Sequence, residues 1–264
     1  MHTKEPYPSS FTDQEWALIE PMLPGPSKLG RPPRYTRRSV IEGILYIVRG
    51  GCGCRMLPHD LPPWRLCYYY FMTWRQAGLW QKIHDRLRAA VRLQSGKKKP
   101  RPLRSKDSQS VKVSNHGGVR GYDAGKKIMG RKRHILVDTL GLILAVVVHP
   151  ANIQDRDGAR LVLEKLTRAF GWLRLIWVDG GYAGNPLAQW LKELLPRRGL
   201  RLEVVKRTEL HTFKILPKRW IVERTFGWLS NYRRFAKDYE YHPANSEALI
   251  LIAASKLMVA RLAK

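Results

Sequence analysis

The order of apolar segments after residue 105 limits this chain to few folds. A short strand candidate around KDSQSVKV comes first and is followed by a basic, glycine-rich loop, GGVRGYDAGKKIMGRKR. Two longer apolar stretches, HILVD and LILAVVVHP, then flank the turn sequence at residues 139–141. Apolar runs on both sides of a short turn containing glycine are typical of a β-hairpin. The sequence therefore predicts three consecutive strands.

Helices and strands alternate in the rest of this region. Residues 154–170 and the stretch NPLAQWLKELLPRR have helical patterns, whereas LRLIWVD and LRLEVVKR are short and apolar, as strands are. A helix spanning KRWIVERTFGWLSNYRRF follows. From 105 to 236 the predicted order is strand, strand, strand, helix, strand, helix, strand, helix. This order predicts an α/β fold with a mixed sheet, and it matches the order of a ribonuclease-H-like domain.

The first 95 residues predict a small all-helical domain. Thr12 and Glu15 have the spacing of a capping box at the start of a helix. Residues 36–49 carry apolar side chains at helical spacing and end at a Gly-Gly pair. The stretches RLCYYYFMTWRQAG and LWQKIHDRLRAAVRLQ predict two further helices.

A basic, proline-containing stretch, GKKKPRPLRSK, follows the helices and predicts a linker. We therefore expect a helical domain over residues 1–95, a basic linker over 96–104 and a mixed-sheet domain over 105–264. A last helix at 245–263 is expected to pack on the mixed-sheet domain.

The charge of the chain indicates a polyanionic partner. Lys and Arg number 48 against 21 Asp and Glu, which gives a net charge of +27. A field of this size concentrates polyanions, with nucleic acid as the first candidate and an anionic membrane as the second. The basic residues are spread through aromatic-rich segments, which favours a folded nucleic-acid-binding protein.

No segment predicts secretion or a membrane span. The N-terminus has no apolar run of the signal-peptide type. The longest apolar run, LILAVVVHP, is too short to cross a bilayer. Three cysteines at 52, 54 and 67 lack the second pair of a zinc site and are interpreted as reduced thiols. We expect a cytoplasmic, nucleoid-associated protein.

Three carboxylates occupy positions that this topology brings together. In a ribonuclease-H-like sheet the first strand lies centrally, beside the fourth. Asp107 is on the first strand and Asp179 ends the fourth. Glu223 is the single acid in a basic helix and is placed to join them from the same sheet edge.

Clustered carboxylates repel one another unless cations lie between them. Oxygen ligands suit Mg²⁺, and two such ions about 3.5–4 Å apart stabilise the attacking and leaving oxygens of phosphoryl transfer. Each acid alone has another explanation. Asp107 could cap a turn, Asp179 could simply end a strand, and Glu223 could form a surface ion pair with Arg219 or Arg224.

Several motifs resemble those of DDE transposases of bacterial insertion sequences, in the insertion-sequence five family. They are FTDQEWALIEPMLP, GRPPRYTRRSVIEGILYIVRGGCGCRMLPHDLPPW, DSQSVK, GKKIMGRKRHILVDTLGLILAVVVHPANIQDRDGA, VDGGYAG and RWIVERTFGWLSNYRRFAKDYE. Together they cover nearly the whole chain. The resemblance implies a catalytic, metal-binding triad of Asp107, Asp179 and Glu223, which holds two Mg²⁺ ions, with Mn²⁺ as an alternative.

The resemblance also implies an activity and partners. The N-terminal helices would bind the terminal inverted repeats of the element, and the catalytic domain would cleave the ends and transfer them to target DNA. Two ends must be joined, so a homodimer or larger assembly on double-stranded DNA is expected. The alternatives are a metal-dependent nuclease of the same fold, which cuts without joining, and an inactive DNA-binding relic.

The last motif contains Arg219 and Glu223. Wider relatives of this family often carry a Tyr three residues before this Arg and a basic residue seven residues after this Glu. Leu216 and Ser230 stand at these positions here, so Arg233 and Arg234 are the candidates for the basic role. The expected DNA contacts comprise basic residues of the helical domain, the glycine-rich loop and the Glu223 helix: Arg37, Arg38, Lys126, Lys127, Arg131, Lys132, Arg133, Arg219, Arg233 and Arg234.

Overall fold

The structure is a computed structural model of the chain. It describes residues 5–25, 32–96, 105–114, 118–169, 175–178, 189–191, 193, 201–204 and 217–264. Most of the predicted linker, the motif after residue 178 and most of the stretch NPLAQWLKELLPRR lie outside the described residues.

The described helices and strands follow the predicted order except for one additional strand, β2, and the helix predicted between the last two strands lies mostly outside the described residues. The helices are α1 (Asp13–Ile19), α2 (Arg37–Gly50), α3 (Trp64–Gln76), α4 (Leu79–Gln94), α5 (Asp155–Ala169), α6 (Pro217–Ser230) and α7 (Pro243–Leu262). The strands are β1 (Ser105–Lys112), β2 (Gly121–Asp123), β3 (Ile128–Val137), β4 (Ile143–Pro150), β5 (Leu175–Val178) and β6 (Arg201–Val204). Short 3-10 helices cover Glu20–Met22, Cys54–Met56 and Arg233–Phe235.

Contacts divide the chain into two units. The helical unit comprises Met1–Ser95, Ser230–Ala236 and Ala248–Lys264, and the sheet unit comprises Gly96–Leu229 and Lys237–Glu247. One domain over residues 105–264 stays a prediction, although these contacts place two of its segments in the helical unit. Most of α7 and the 3-10 helix at Arg233–Phe235 group with the N-terminal helices.

Local sequence signals explain the ends of the N-terminal helices. The capping box at α1 is confirmed, because Glu15 N donates to Thr12 Oγ1 and Thr12 N donates to Glu15 Oε2. The end of α2 at the Gly-Gly pair is confirmed as well, since Gly51 adopts a left-handed conformation with φ of 75°. Such a conformation favours glycine, which has no Cβ to clash.

The core of the helical unit forms around α2. Val40, Ile44 and Val48 of α2 are each at most 3% exposed, and they lie at the spacing that places side chains on one helical face. The α7 helix completes this core. Lys256 donates to Glu15 and to the Ser10 carbonyl. Residues from both ends of the described chain thus build one core.

The sheet has its first strand in the middle. β1 pairs antiparallel with β3 over eight residues and parallel with β5 at Ser105 and Trp177. β3 also pairs antiparallel with β4 and with β2, and β5 pairs parallel with β6. A mixed sheet of this order is ribonuclease-H-like, and the predicted fold class is confirmed.

The glycine-rich loop is shorter than the sequence indicated. β2 lies inside it, and β3 begins at Ile128 rather than near His134. The basic residues at 131–133 hid the strand pattern, because buried cationic side chains are unusual in a sheet.

Candidate active site and nucleic-acid interface

Asp107 lies on the central strand β1, opposite Ile135 of β3. Its side chain is half-buried, and its Oδ1 atom accepts a hydrogen bond of 2.7 Å from the Ser108 backbone N–H. Pairing with β3 along the whole of β1, and with β5 at Ser105, holds the strand that carries this carboxylate. β5 ends at Val178, and the next residue, Asp179, lies outside the described residues.

Glu223 lies on α6 with an exposed side chain. Val222 and Leu229 of the same helix are 2% and 5% exposed, so α6 packs through the side next to Glu223. Thr225 supports this packing, because its Oγ1 atom donates to the Gly141 carbonyl at 2.9 Å. The packing leaves the carboxylate accessible.

The turn between β3 and β4 holds α6. Arg224 donates to the Leu140 carbonyl at 3.1 Å, and its guanidinium lies 4.7 Å from the Trp220 ring and 4.6 Å from the Trp228 ring. Gly141 has a φ of +81°, and a Cβ built on it would lie 2.9 Å from Thr225 Oγ1. We call these contacts of the β3–β4 turn with Arg224 and Thr225 the clamp on α6. The sequence analysis did not predict the clamp, although the glycine in the predicted turn indicated a close approach.

Carboxylate oxygens such as those of Asp107 and Glu223 are the ligands that Mg²⁺ prefers. Within the described part of the chain, no cluster of three or more Asp, Glu, His or Cys side chains has the proximity of a metal site. Position 179 is outside that part, so a triad that includes it stays a prediction.

A partly buried polar layer lies on the other face of β1. Side chains alternate along a strand, so Ser108 points away from Asp107, and its hydroxyl donates to Asp155 of α5 at 3.0 Å. Lys132 is 6% exposed and lies 3.3 Å from Asp155 and 3.6 Å from Asp123. The expected contact of Lys132 with DNA is therefore wrong, because its ammonium group is enclosed by two carboxylates.

Asp123 belongs to the same layer and is buried. Burial acts to raise its pKa, but hydrogen bonds from the Ser110 hydroxyl and the Lys126 backbone N–H, together with the charge of Lys132, outweigh this effect and lower the pKa. The acid is therefore held as a carboxylate that stabilises the fold.

Arg131 and Arg133 are internal side chains, so their expected DNA contacts are also wrong. Arg131 is fully buried and donates to the carbonyls of Val119, Glu240 and Tyr241 and to the Asp238 carboxylate. Arg133 donates to the Lys237 carbonyl at 3.1 Å, and burial lowers its pKa to about 10. Both cations join β3 to the segment before α7.

The remaining predicted DNA contacts differ in accessibility. Lys126, Lys127 and Arg233 are exposed, and Arg37 is half-buried. Arg38 is engaged by the Asp13 and Glu42 carboxylates and the Phe11 carbonyl. Arg234 is 9% exposed and donates to the Cys52 carbonyl. Its predicted DNA contact is therefore wrong, because the side chain is buried. The Arg219 side chain lies outside the described residues.

Among the helices that the structure describes, none combines the length and the hydrophobicity needed to cross a membrane.

Two family models match the chain. Residues 98–258 match the transposase DDE domain, and residues 11–84 match a model described as a putative transposase of the IS4/5 family. Because the first match covers more than half of the chain, the protein belongs to the family of DDE transposases.

Two curated relatives come from Burkholderia cepacia. The putative transposase of insertion sequence element IS402 is 28% identical over 118 residues, which cover 42% of this chain and 54% of that protein. An uncharacterised protein of insertion element IS402 is 33% identical over 87 residues, which cover 30% of this chain and 58% of that protein. The chain thus spans about half the length of the curated relatives it matches.

Solved transposase structures resemble the chain only weakly. The Mos1 transposase paired-end complex with left transposon end shares 13% identity at a TM-score of 0.26, covering 91% of this chain and 82% of that chain. The Mos1 strand transfer complex shares 12% identity at a TM-score of 0.25, with the same coverage. Likenesses of this size add nothing to the strand order, which defines the fold.

Proposed function

We propose that the chain is an insertion-sequence transposase that binds the terminal inverted repeats of its element, cleaves there and transfers the ends to target DNA. The observation that carries the proposal is the parallel pairing of β1 with β5 at Ser105 and Trp177. Asp107 lies two residues after Ser105 on β1, and position 179 follows directly after the last described residue of β5, Val178. The register thus supports the pairing of two carboxylates at the centre of the sheet.

Three carboxylates are proposed to hold divalent metal: Asp107, Asp179 and Glu223. Their oxygens suit Mg²⁺ or Mn²⁺, and two ions are proposed per site. When bound, the metal would supply Lewis-acid stabilisation of the attacking and leaving oxygens. The chain contributes rigidity, since Asp107 is on a strand paired on both edges and α6 is clamped by the β3–β4 turn.

Double-stranded DNA is the proposed partner, as element ends and as target. The net charge of +27 favours association with polyanions. Lys126, Lys127, Arg37 and Arg233 are the predicted contacts whose described side chains remain accessible, and they would bind phosphates. Joining two ends requires two active sites, so a dimer or larger assembly on DNA is part of the proposal, with action at the nucleoid.

The test replaces each acid separately: Asp107→Asn, Asp179→Asn and Glu223→Gln. Cleavage of a plasmid carrying the element ends and transfer of pre-cut ends are measured with Mg²⁺. Loss of a metal ligand removes several kcal/mol of transition-state stabilisation, so each variant should lose roughly 100-fold or more of both activities. Asp157→Asn is the matched control, because this acid is exposed on α5 and should be dispensable.

Three results would contradict the proposal. Retained activity in one of the three variants would remove that residue from the triad. Cleavage without joining by the wild-type protein would indicate a nuclease. DNA binding without either reaction would indicate an inactive DNA-binding relic.

A further inference from the structure

We infer that α3 is the helix that reads base pairs, with its exposed face in the major groove of the DNA. The inference deepens the proposed function and rests on it, since it names the element that would select the terminal repeats. It is carried by the exposure, the chemistry and the charge of the face.

One side of α3 is exposed along its whole length. The exposed residues are Arg65, Tyr68, Tyr69, Thr73 and Gln76, and the half-buried Met72 lies among them, whereas the half-buried Trp64, Leu66, Tyr70 and Arg75 flank this side. At about 100° per residue the exposed positions span an arc of about 140°. Cys67, Phe71 and Trp74 lie on the opposite side and are at most 5% exposed. Burial of that side in the helical unit fixes which residues face outward.

The exposed residues have the chemistry of base recognition. Tyr68 and Tyr69 are 46% and 61% exposed. Arg65 suits guanine, Gln76 suits adenine, and Thr73 offers a hydroxyl and a methyl group. The tyrosine hydroxyls suit phosphate oxygens, which position a helix on the duplex. A helix face that only contacts solvent is usually charged and would not need exposed aromatic side chains.

The charge of α3 favours DNA as the occupant of this face. The helix contains no Asp or Glu. At its start the guanidinium groups of Arg55 and Arg65 lie 5.6 Å and 5.5 Å from the Trp64 ring. Both cations are exposed, and they lie near the N-terminal end of α3, where the helix dipole also favours negative charge. Phosphates of a duplex complement this arrangement.

The three neighbouring helices differ from α3 in carrying acids: Asp13 and Glu15 on α1, Glu42 on α2 and Asp85 on α4. α2 supplies the core, and the acid Asp13 is exposed at the start of α1. On α4 the exposed polar side chains include Lys82 and Arg86, which provide point charges. Those charges suit phosphates and carry little sequence information. The contrast between α3 and α4 provides the experiment with its matched control.

The experiment selects bound duplexes from a pool with 20 randomised base pairs, using the full chain in EDTA so that no cleavage occurs. Wild-type protein should enrich one motif. Arg65→Ala and Gln76→Ala should each abolish the preference at separate base pairs and weaken binding to the selected site roughly 5- to 150-fold. Gln76 is exposed, so Gln76→Ala should not change the thermal midpoint of unfolding, whereas Arg65→Ala should lower it slightly because the contact with the Trp64 ring is lost.

The control is Lys82→Ala combined with Arg86→Ala. It should keep the motif, weaken selected and scrambled duplexes equally, and reduce the salt dependence of binding by about one unit per lost phosphate contact. The inference is overturned if wild-type protein enriches no motif, if both α3 variants enrich the wild-type motif, or if the α4 variant changes it. A changed sedimentation mass with an unchanged motif would assign the face to subunit contact and overturn it too.

Because selection requires neither metal nor chemistry, a failure of the carboxylate assignment leaves this result unaffected. Conversely, cleavage of the element ends by a protein with an unselective α3 would leave the proposed activity standing and remove only this inference.

Discussion

Replacing Gly227 with Ala is expected to raise stability and lower activity at once. Gly227 lies inside α6, four residues after Glu223. A Cβ built there meets no heavy atom within 4 Å in the described part of the chain. Glycine in a helix interior costs about 1 kcal/mol relative to alanine. The Gly227→Ala variant should therefore gain about 0.5–1 kcal/mol in its free energy of unfolding.

The activity should move the other way. A glycine one turn beyond the acid costs stability, and close approach of a DNA phosphate to α6 would explain why it is accepted there. A methyl group in that space would displace the phosphate. A displacement of about 1 Å reduces a reaction rate by as much as about 100-fold. We expect slower transfer of pre-cut ends by a variant that unfolds at higher urea concentration.

Urea unfolding followed by circular dichroism gives the stability, and a strand-transfer assay gives the activity. Gly50→Ala is the control, because Gly50 ends α2 and its Cβ would lie 4.0 Å from Tyr46 Cε1. It should not lower strand transfer. If Gly227→Ala transferred DNA as fast as the wild type, the close approach of phosphate to α6 would be wrong. A loss of stability would show that a Cβ does not fit there.

Three further outcomes are expected. Gly141→Ala should lower the free energy of unfolding by about 2 kcal/mol or more, because a left-handed backbone and the Thr225 hydroxyl oppose a Cβ. Urea unfolding measures this free energy, and an unchanged midpoint would contradict the clamp on α6. Asp238→Ala should cost about 3–5 kcal/mol, since it leaves the buried Arg131 guanidinium without its carboxylate; a cost below about 1 kcal/mol by the same assay would contradict the burial of this pair. Burial raises the pKa of Cys67 to about 11, so this thiol should resist Ellman's reagent at pH 8 until the chain unfolds. Its contribution to stability is present below its ordinary pKa of 9.0 and is lost as the pH rises from there through 11. Cys52 and Cys54 are half-exposed, so the test is made in the Cys52→Ser, Cys54→Ser double variant, and labelling of this folded variant at pH 8 would contradict the burial of Cys67.

Signals confined to neighbouring residues predicted much of the fold. The capping box at Thr12 and the turn at 139–141 each depend on a few consecutive residues, and both are present in the structure. The order of helices and strands was sufficient to predict the central position of β1. That position supports the assignment of Asp107, since a central strand is covered on both edges.

Contacts between distant segments could not be predicted in the same way. Arg131 is satisfied by carbonyl groups at Glu240 and Tyr241, more than a hundred residues away, and no local pattern announces such partners. The cationic cluster at 131–133 therefore suggested a DNA-binding surface, whereas in the structure its side chains are buried and make internal hydrogen bonds. The same limit applies to α7, whose apolar residues do not reveal which unit they cover.

The helical unit is built from segments that are far apart in the sequence, and this determines when it can fold during synthesis. Phe11 and Ile41 are buried in a core that also contains Ile252 and Met258, so α1 and α2 remain without part of their covering during synthesis until α7 has emerged from the ribosome. The helical unit, α3 included, would complete its core only after the segments that bear Asp107 and Glu223 have been made. A ribosome that stalled before residue 248 would release a chain unable to complete this core, and such a product should be a substrate for proteases.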